Sequence, residues 1–194
     1  MLVARFFSRF IDPVAAVLDL GCGYGEFINH VACGRKFGMD LNAHTREHLN
    51  TDVTFFEQDC SAVWPLPDNS LDVVFSSNFF EHLPSKQALG DTIAQTRRCL
   101  KPGGRLIAMG PNIRFVGGAY WDFWDHHLAL TDVSLAEALR VCNLRVESVI
   151  DRFLPYTMVN RRSIPGPLVE LYLKVPFAWR LFGKQFLIFA RKPV

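Results

Sequence analysis

The chain has 194 residues, is 49% hydrophobic and carries a formal net charge of +2. That is long and apolar enough for one domain with a sizeable core, while no uninterrupted apolar run reaches the ~18 residues of a membrane span. Five cysteines (Cys22, Cys33, Cys60, Cys99, Cys142) are scattered without C-x-x-C spacing, which argues against a disulfide framework or zinc knuckle.

Met1–Pro13 contains Arg5, Arg9 and Asp12 and lacks the apolar core and cleavage site of a signal peptide, so a cytoplasmic location is expected. Ala15–Leu20 reads as the first strand, and Gly21-Cys22-Gly23-Tyr24-Gly25 as a tight turn. A short helix is expected over Glu26–Ala32, closed near Gly34. Lys36–Met39 is a second strand ending at Asp40, Thr45–Asn50 is helical and Val53–Glu57 is a third strand. Two prolines and an Asp-Asn pair make Trp64–Ser70 a loop before the apolar strand Leu71–Ser76. Pro84 opens a helix over Ser85–Leu100, and Lys101-Pro102-Gly103-Gly104 has the residues of a type II turn. Arg105–Met109 follows as a fifth strand, then a helix over Ser134–Val141 capped by Thr131 or Asp132. Leu144–Asp151 and Gln185–Arg191 complete the strands. This alternation predicts a mainly parallel sheet with helices on both faces. Two segments exceed a minimal version of it, at about 111–130 and 155–183. Long insertions in a compact domain are usually functional, and their aromatic residues argue against disorder.

The glycine turn carries the strongest chemical signal. Glycines there let the backbone bend and let a ligand approach closely. The dinucleotide fingerprint G-x-G-x-x-G fits Gly21 and Gly23, but its third position is Glu26 and the third glycine is Gly25. Asp19, two residues before the first glycine, would repel a pyrophosphate and attract a cation.

The pattern D-x-G-x-G-x-G resembles motif I of class I S-adenosylmethionine-dependent methyltransferases, whose cofactor bears an ammonium and a sulfonium. Further residues carry the likeness: Glu81-His82 after the fourth strand, Leu100-Lys101-Pro102-Gly103-Gly104 before the fifth, and the last strand with its Lys184–Lys192 flanks. The resemblance covers about residues 14–151. It implies one methyltransferase domain over 1–194, with a Rossmann-like doubly wound α/β sheet of seven strands, order 3-2-1-4-5-7-6, and strand 7 antiparallel. It implies S-adenosylmethionine as cofactor. Asp19 with Gly21, Cys22, Gly23, Tyr24 and Gly25 would hold the methionine part; Asp40 and Leu41 the ribose; Asp59 and Cys60 the adenine. Ser76 and Asn78 would complete the cofactor site at the end of the fourth strand.

For the acceptor side, Tyr120-Trp121-Asp122-Phe123-Trp124-Asp125-His126-His127 is dense in functional side chains. A hydroxyl nucleophile must lose its proton near the moment of attack, and histidine has the pKa for that. His126 or His127 is the expected base and His82 the next candidate, with Glu81, Tyr120, Trp121 and Trp124 toward the substrate. Asp122, Asp125, His126 and His127 form a conceivable metal set, but adjacent histidines diverge and no metal is expected. The aromatic segments suit a small-molecule acceptor that is hydrophobic, sugar-like or lipid-linked. A hydroxyl oxygen is the expected acceptor atom. No Asn/Asp-Pro-Pro-Tyr/Phe follows the fourth strand, so a nucleic-acid substrate is not expected. A dinucleotide-dependent oxidoreductase and a non-catalytic protein of the same fold are the alternatives.

Charge is unevenly placed. Residues 1–139 carry 11 Lys+Arg against 16 Asp+Glu, and residues 140–194 carry 10 against 3. With Lys174, Trp179 and Arg180, the segment at about 168–182 suits peripheral contact with a membrane surface.

Overall fold

The structure, a computed structural model, describes residues 2–156 and 165–194. It begins with α1 (Leu2–Arg5) and a 3-10 turn over Phe7–Phe10. Then come β1 (Ala16–Leu20), β2 (Arg35–Asp40), a 3-10 helix over Ala43–His48 and β3 (Val53–Glu57). β4 (Leu71–Ser77) leads through a turn at Phe80–His82 to α2 (Lys86–Cys99) and β5 (Leu100–Pro111). α3 (Ile113–Val116), α4 (Asp132–Val141), β6 (Arg145–Ile150), α5 (Gly166–Lys174), α6 (Pro176–Phe182) and β7 (Gln185–Arg191) follow. The sheet order is β3-β2-β1-β4-β5-β7-β6, and β7 runs antiparallel to both neighbours, as the resemblance implied.

β1 lies between β2 and β4 and all five of its residues are buried. Its side chains alternate between two cores, as the twofold period of a strand requires. Leu18 and Leu20 face Ile93 and Leu139 of α2 and α4. Val17 faces the other layer, made by Phe6, Phe7, Ile28, Phe153 and Leu173. The N-terminal segment and α5 thus cover the second face of the sheet.

Two local expectations are corrected. Glu26–Ala32 forms successive turns rather than a helix. Its backbone bonds mix i→i+4 (Asn29 to Gly25) with i→i+3 (His30 to Phe27). With Gly34 already pairing with Ala15, too few residues remain to offset the cost of helix nucleation. Lys101–Gly104 lies within β5 rather than before it. Gly103 still takes the positive φ (+77°) that the turn chemistry required, where the β4–β5 register shifts between Leu71 and Val73. Of the second expected insertion, residues 157–164 lie outside the described residues.

Candidate functional site

The parallel strands β1, β2, β4 and β5 end at one edge, where ligands bind in open α/β sheets. A cavity of about 410 Å³ opens there, lined by Asp19, Gly21, Cys22, Gly23, Tyr24, Ser77, Asn78 and Met109. A second cavity, of about 400 Å³, lies at the opposite end of the strands beside Asp72 and Lys101–Arg105, away from the glycine turn.

The cradle is made of backbone. Gly21, Gly23 and Gly25 have φ of +70°, +47° and +74°. A Cβ on Gly21 would lie 2.2 Å from the Phe79 ring, and one on Gly25 2.7 Å from Leu49. One on Gly23 would meet nothing within 4 Å, so that residue faces open space. The N–H groups of Gly21 and Cys22 donate to the Met39 carbonyl and fasten the turn to β2. The Gly23 N–H donates to Asp40 Oδ2 and the Asn42 N–H to Asp40 Oδ1. Asp40 is thereby fixed at the end of β2, each oxygen keeping a further lone pair for a hydroxyl donor.

Asp19 is 3% exposed and accepts one hydrogen bond, from the Ile28 N–H, on Oδ2. Burial pushes its pKa up to about 8, outweighing that bond, and Asp40 and Glu26 add repulsion. A buried carboxyl that faces a cavity and has no cationic partner among the described residues is a fit for an ammonium or sulfonium.

The other expected cofactor residues divide. Tyr24 and Leu41 are exposed at the rim. Cys22 and Cys60 point into the core, burial raises both thiols, and each can offer only backbone to a ligand. Asp59 is exposed, and its Oδ1 accepts from the N–H and hydroxyl of Ser61, a turn-capping arrangement. Ser76 is buried, with a hydroxyl that has no partner, and it is Ser77 that lines the cavity. Asn78 sits at φ +49°, with its N–H bonded to the Met109 carbonyl. Leu2, Val3 and Phe7 form a cavity wall from the N-terminal segment, and no motif or spacing in the sequence marks them.

On the acceptor side, the N–H groups of His127 and Leu128 both donate to the Glu81 carbonyl, at 2.8 and 3.0 Å. This locks the loop after β5 onto the turn after β4. His82 Nδ1 lies 3.1 Å from both Asp125 Oδ2 and the Asp125 carbonyl. Both partners only accept, so Nδ1 carries the proton and Nε2 keeps its lone pair. His126 is buried, packs edge-on to His82 at 4.8 Å and stacks on Phe123 at 5.0 Å. Burial lowers its pKa, and His82 lowers it further, so the ring is held neutral. Its Nδ1 has no hydrogen-bond partner. Glu81 is 1% exposed, and burial raises its pKa to about 8.

His127 is exposed and apart from this group. Tyr120 is fully buried, its hydroxyl donating to the Leu128 carbonyl and accepting from the Leu130 N–H, so it shapes the loop from inside. Trp121 and Trp124 are 52% and 98% exposed. A groove of about 420 Å³ between Val116, Ala119, Tyr156, Tyr172, Phe182 and Lys184 joins the two expected insertions. Tyr156 reaches Phe123 and, through it, His126.

Residues 18–108 match the family described as Methyltransferase domain. The chain is 28% identical over 120 residues to a probable methyltransferase, ltbC, of Aspergillus luteorubrus, covering 53% of this chain and 42% of that one. It is 26% identical over 185 residues to a demethylmenaquinone methyltransferase of Symbiobacterium thermophilum, covering 85% and 69%. It thus spans less than half the length of the first relative. Its fold matches that of a SAM-dependent methyltransferase from Archaeoglobus fulgidus with a TM-score of 0.68 at 19% identity, over 97% of this chain and 90% of that one.

Proposed function

We propose that the chain is a class I S-adenosylmethionine-dependent methyltransferase, in keeping with the methyltransferase-domain match over residues 18–108, and that it methylates a small-molecule acceptor on a hydroxyl oxygen. The cofactor is S-adenosylmethionine, which when bound supplies an electrophilic methyl group on a sulfonium. The observation that carries the reading is the buried Asp19, without a cationic partner among the described residues, beside a glycine cradle whose open side faces the cavity. A pyrophosphate would offer Asp19 no cation and would repel its ionised form, which disfavours the dinucleotide alternative.

Asp19 and the Gly21–Gly25 backbone hold the methionine end, and Asp40 holds the ribose. Their main contribution is orientation, keeping the reacting groups in line at attack distance. His82, aligned by Asp125, takes the acceptor proton on Nε2, an effect worth roughly 10²–10⁴-fold. This favours His82 over His127, which lacks an orienting partner, and over the more buried His126. The groove at Val116, Tyr156 and Phe182 receives the acceptor. Its apolar walls favour a hydrophobic or lipid-linked molecule, in keeping with a relative named for demethylmenaquinone. The exposed Leu168, Leu171, Phe177, Leu181 and Phe182 of α5 and α6, with Lys174 and Arg180 beside them, support contact with an anionic membrane surface. Among the described residues, no helix is long and apolar enough to cross a membrane.

Calorimetric titration with S-adenosylmethionine tests the core of this. Asp40→Ala is expected to weaken binding about 10- to 100-fold, as loss of hydrogen bonds to a charged group does. No detectable binding to the intact protein would overturn the reading.

A further inference from the structure

We propose that Glu81, His82 and His126 form a binding site for a divalent transition-metal cation beyond the C-terminal ends of β4 and β5. One ligand atom from each residue lies within 4.8 Å of the other two. Two imidazoles and a carboxylate are the donor set that holds Zn²⁺ or Fe²⁺ with coordination positions left open.

Three independent features converge on this point. The Glu81 side chain is nearly sealed from solvent, and its carboxyl takes a hydrogen bond from its own backbone N–H with lone pairs to spare. His126, 7% exposed, has a buried Nδ1 with no partner among the described residues. Native structures rarely leave such an atom orphaned without a ligand or ordered water to meet it. His82 has its outward nitrogen on a carboxylate, at 3.1 Å from Asp125 Oδ2, the support that metal-binding histidines commonly have. That bond leaves Nε2 4.0 Å from Glu81 Oε1. Ligand atoms on one zinc ion, each at about 2.0–2.2 Å from it, stand somewhat closer together than this.

The backbone is held for this purpose. Glu81 and His82 come from the turn after β4, and His126 from the loop after β5. The two bonds from His127 and Leu128 to the Glu81 carbonyl clamp those segments together. Phe123 and Tyr120 wall the His126 ring on two sides. Sequence spacing pointed instead to Asp122, Asp125, His126 and His127. The folded chain recruits Glu81 and His82 from some 44 residues upstream and leaves His127 exposed.

Cation binding stands on the ligand geometry alone; only its use rests on the methyl-transfer reading. Coordination engages the His82 Nε2 that otherwise accepts a proton. In the loaded protein the cation holds the acceptor oxygen and lowers the pKa of a hydroxyl, so the base described above belongs to the metal-free protein.

The test is titration of the chelator-stripped full chain with Zn²⁺ by calorimetry and with Co²⁺ by visible absorption, without acceptor. One strong site per chain is expected, with the Co²⁺ bands of nitrogen and oxygen ligation. Glu81→Gln and His126→Gln should each weaken it by at least about 100-fold, and Asp125→Asn by about 10- to 100-fold, as loss of a supporting partner does. Near-ultraviolet circular dichroism and S-adenosylmethionine binding show whether each variant is folded. Absence of a site in the intact chain, or equal affinity in folded Glu81→Gln and His126→Gln, overturns the inference. Cofactor binding by a chain that binds no metal would sink the cation site and leave methyl transfer standing.

Discussion

The turn after β1 presents mainly backbone to its cavity, whereas the loop after β5 presents side chains gathered from two distant segments. In the first, three glycines at positive φ and two anchored acids form the surface. In the second, Glu81, His82, Asp125 and His126 come together only because the Glu81 carbonyl binds the loop backbone. A backbone cradle depends on conformations few residues can adopt and tolerates little change. A side-chain cluster can lose one member and keep its shape.

The largest effect should therefore come from the cradle. Gly21→Ala combines a strained φ, roughly 1–2 kcal/mol, with overpacking against Phe79, roughly 1–3 kcal/mol more. Denaturant unfolding should register both losses, and calorimetry should find no cofactor binding. Gly23→Ala, with open space around its Cβ, should show the strain alone. Equal losses in the two variants would show that packing against Phe79 does not set the cradle's tolerance.

The pH dependence of cofactor affinity is the next effect in size. With its pKa raised to about 8 by burial, Asp19 is protonated at neutral pH in the free protein. A bound cation favours the carboxylate, so binding releases a proton. Affinity should therefore rise with pH by up to about tenfold per unit between roughly pH 6 and 8, then level off. Calorimetry in buffers of different ionisation enthalpy would reveal the released proton. A flat profile would remove Asp19 from the cationic end of the site.

The smallest effect on the cradle is expected from Phe177→Asp on α6, where the side chain is 69% exposed. Flotation with anionic vesicles should weaken at least about tenfold, since burying a phenylalanine is worth about 1.5–3 kcal/mol. Cofactor affinity should not change. Intact chain that stays off anionic vesicles at low salt would retire the membrane contact.

The cradle was legible because its signals are local. Asp19 and the three glycines lie within seven consecutive positions, and the positive φ that glycine permits is what the turn uses. Strand order followed from the family resemblance that the same motifs carried. The short post-β1 helix failed because its helix-like apolar spacing says nothing about how soon β2 must pair with β1. Ser77 rather than Ser76 lines the cavity because one step along a strand reverses the face.

The acceptor end was legible in composition only. The run from Tyr120 to His127 announced functional side chains, but not which of them would meet. Tyr120 turned inward because its hydroxyl satisfies two backbone groups of the loop, and Asp125 found His82 across 43 residues. By itself the sequence determined the glycine cradle, since that depends on backbone conformations written residue by residue. Only the tertiary structure decided the partners of His82 and His126, since those contacts depend on two backbone hydrogen bonds between segments that the chain brings together by folding.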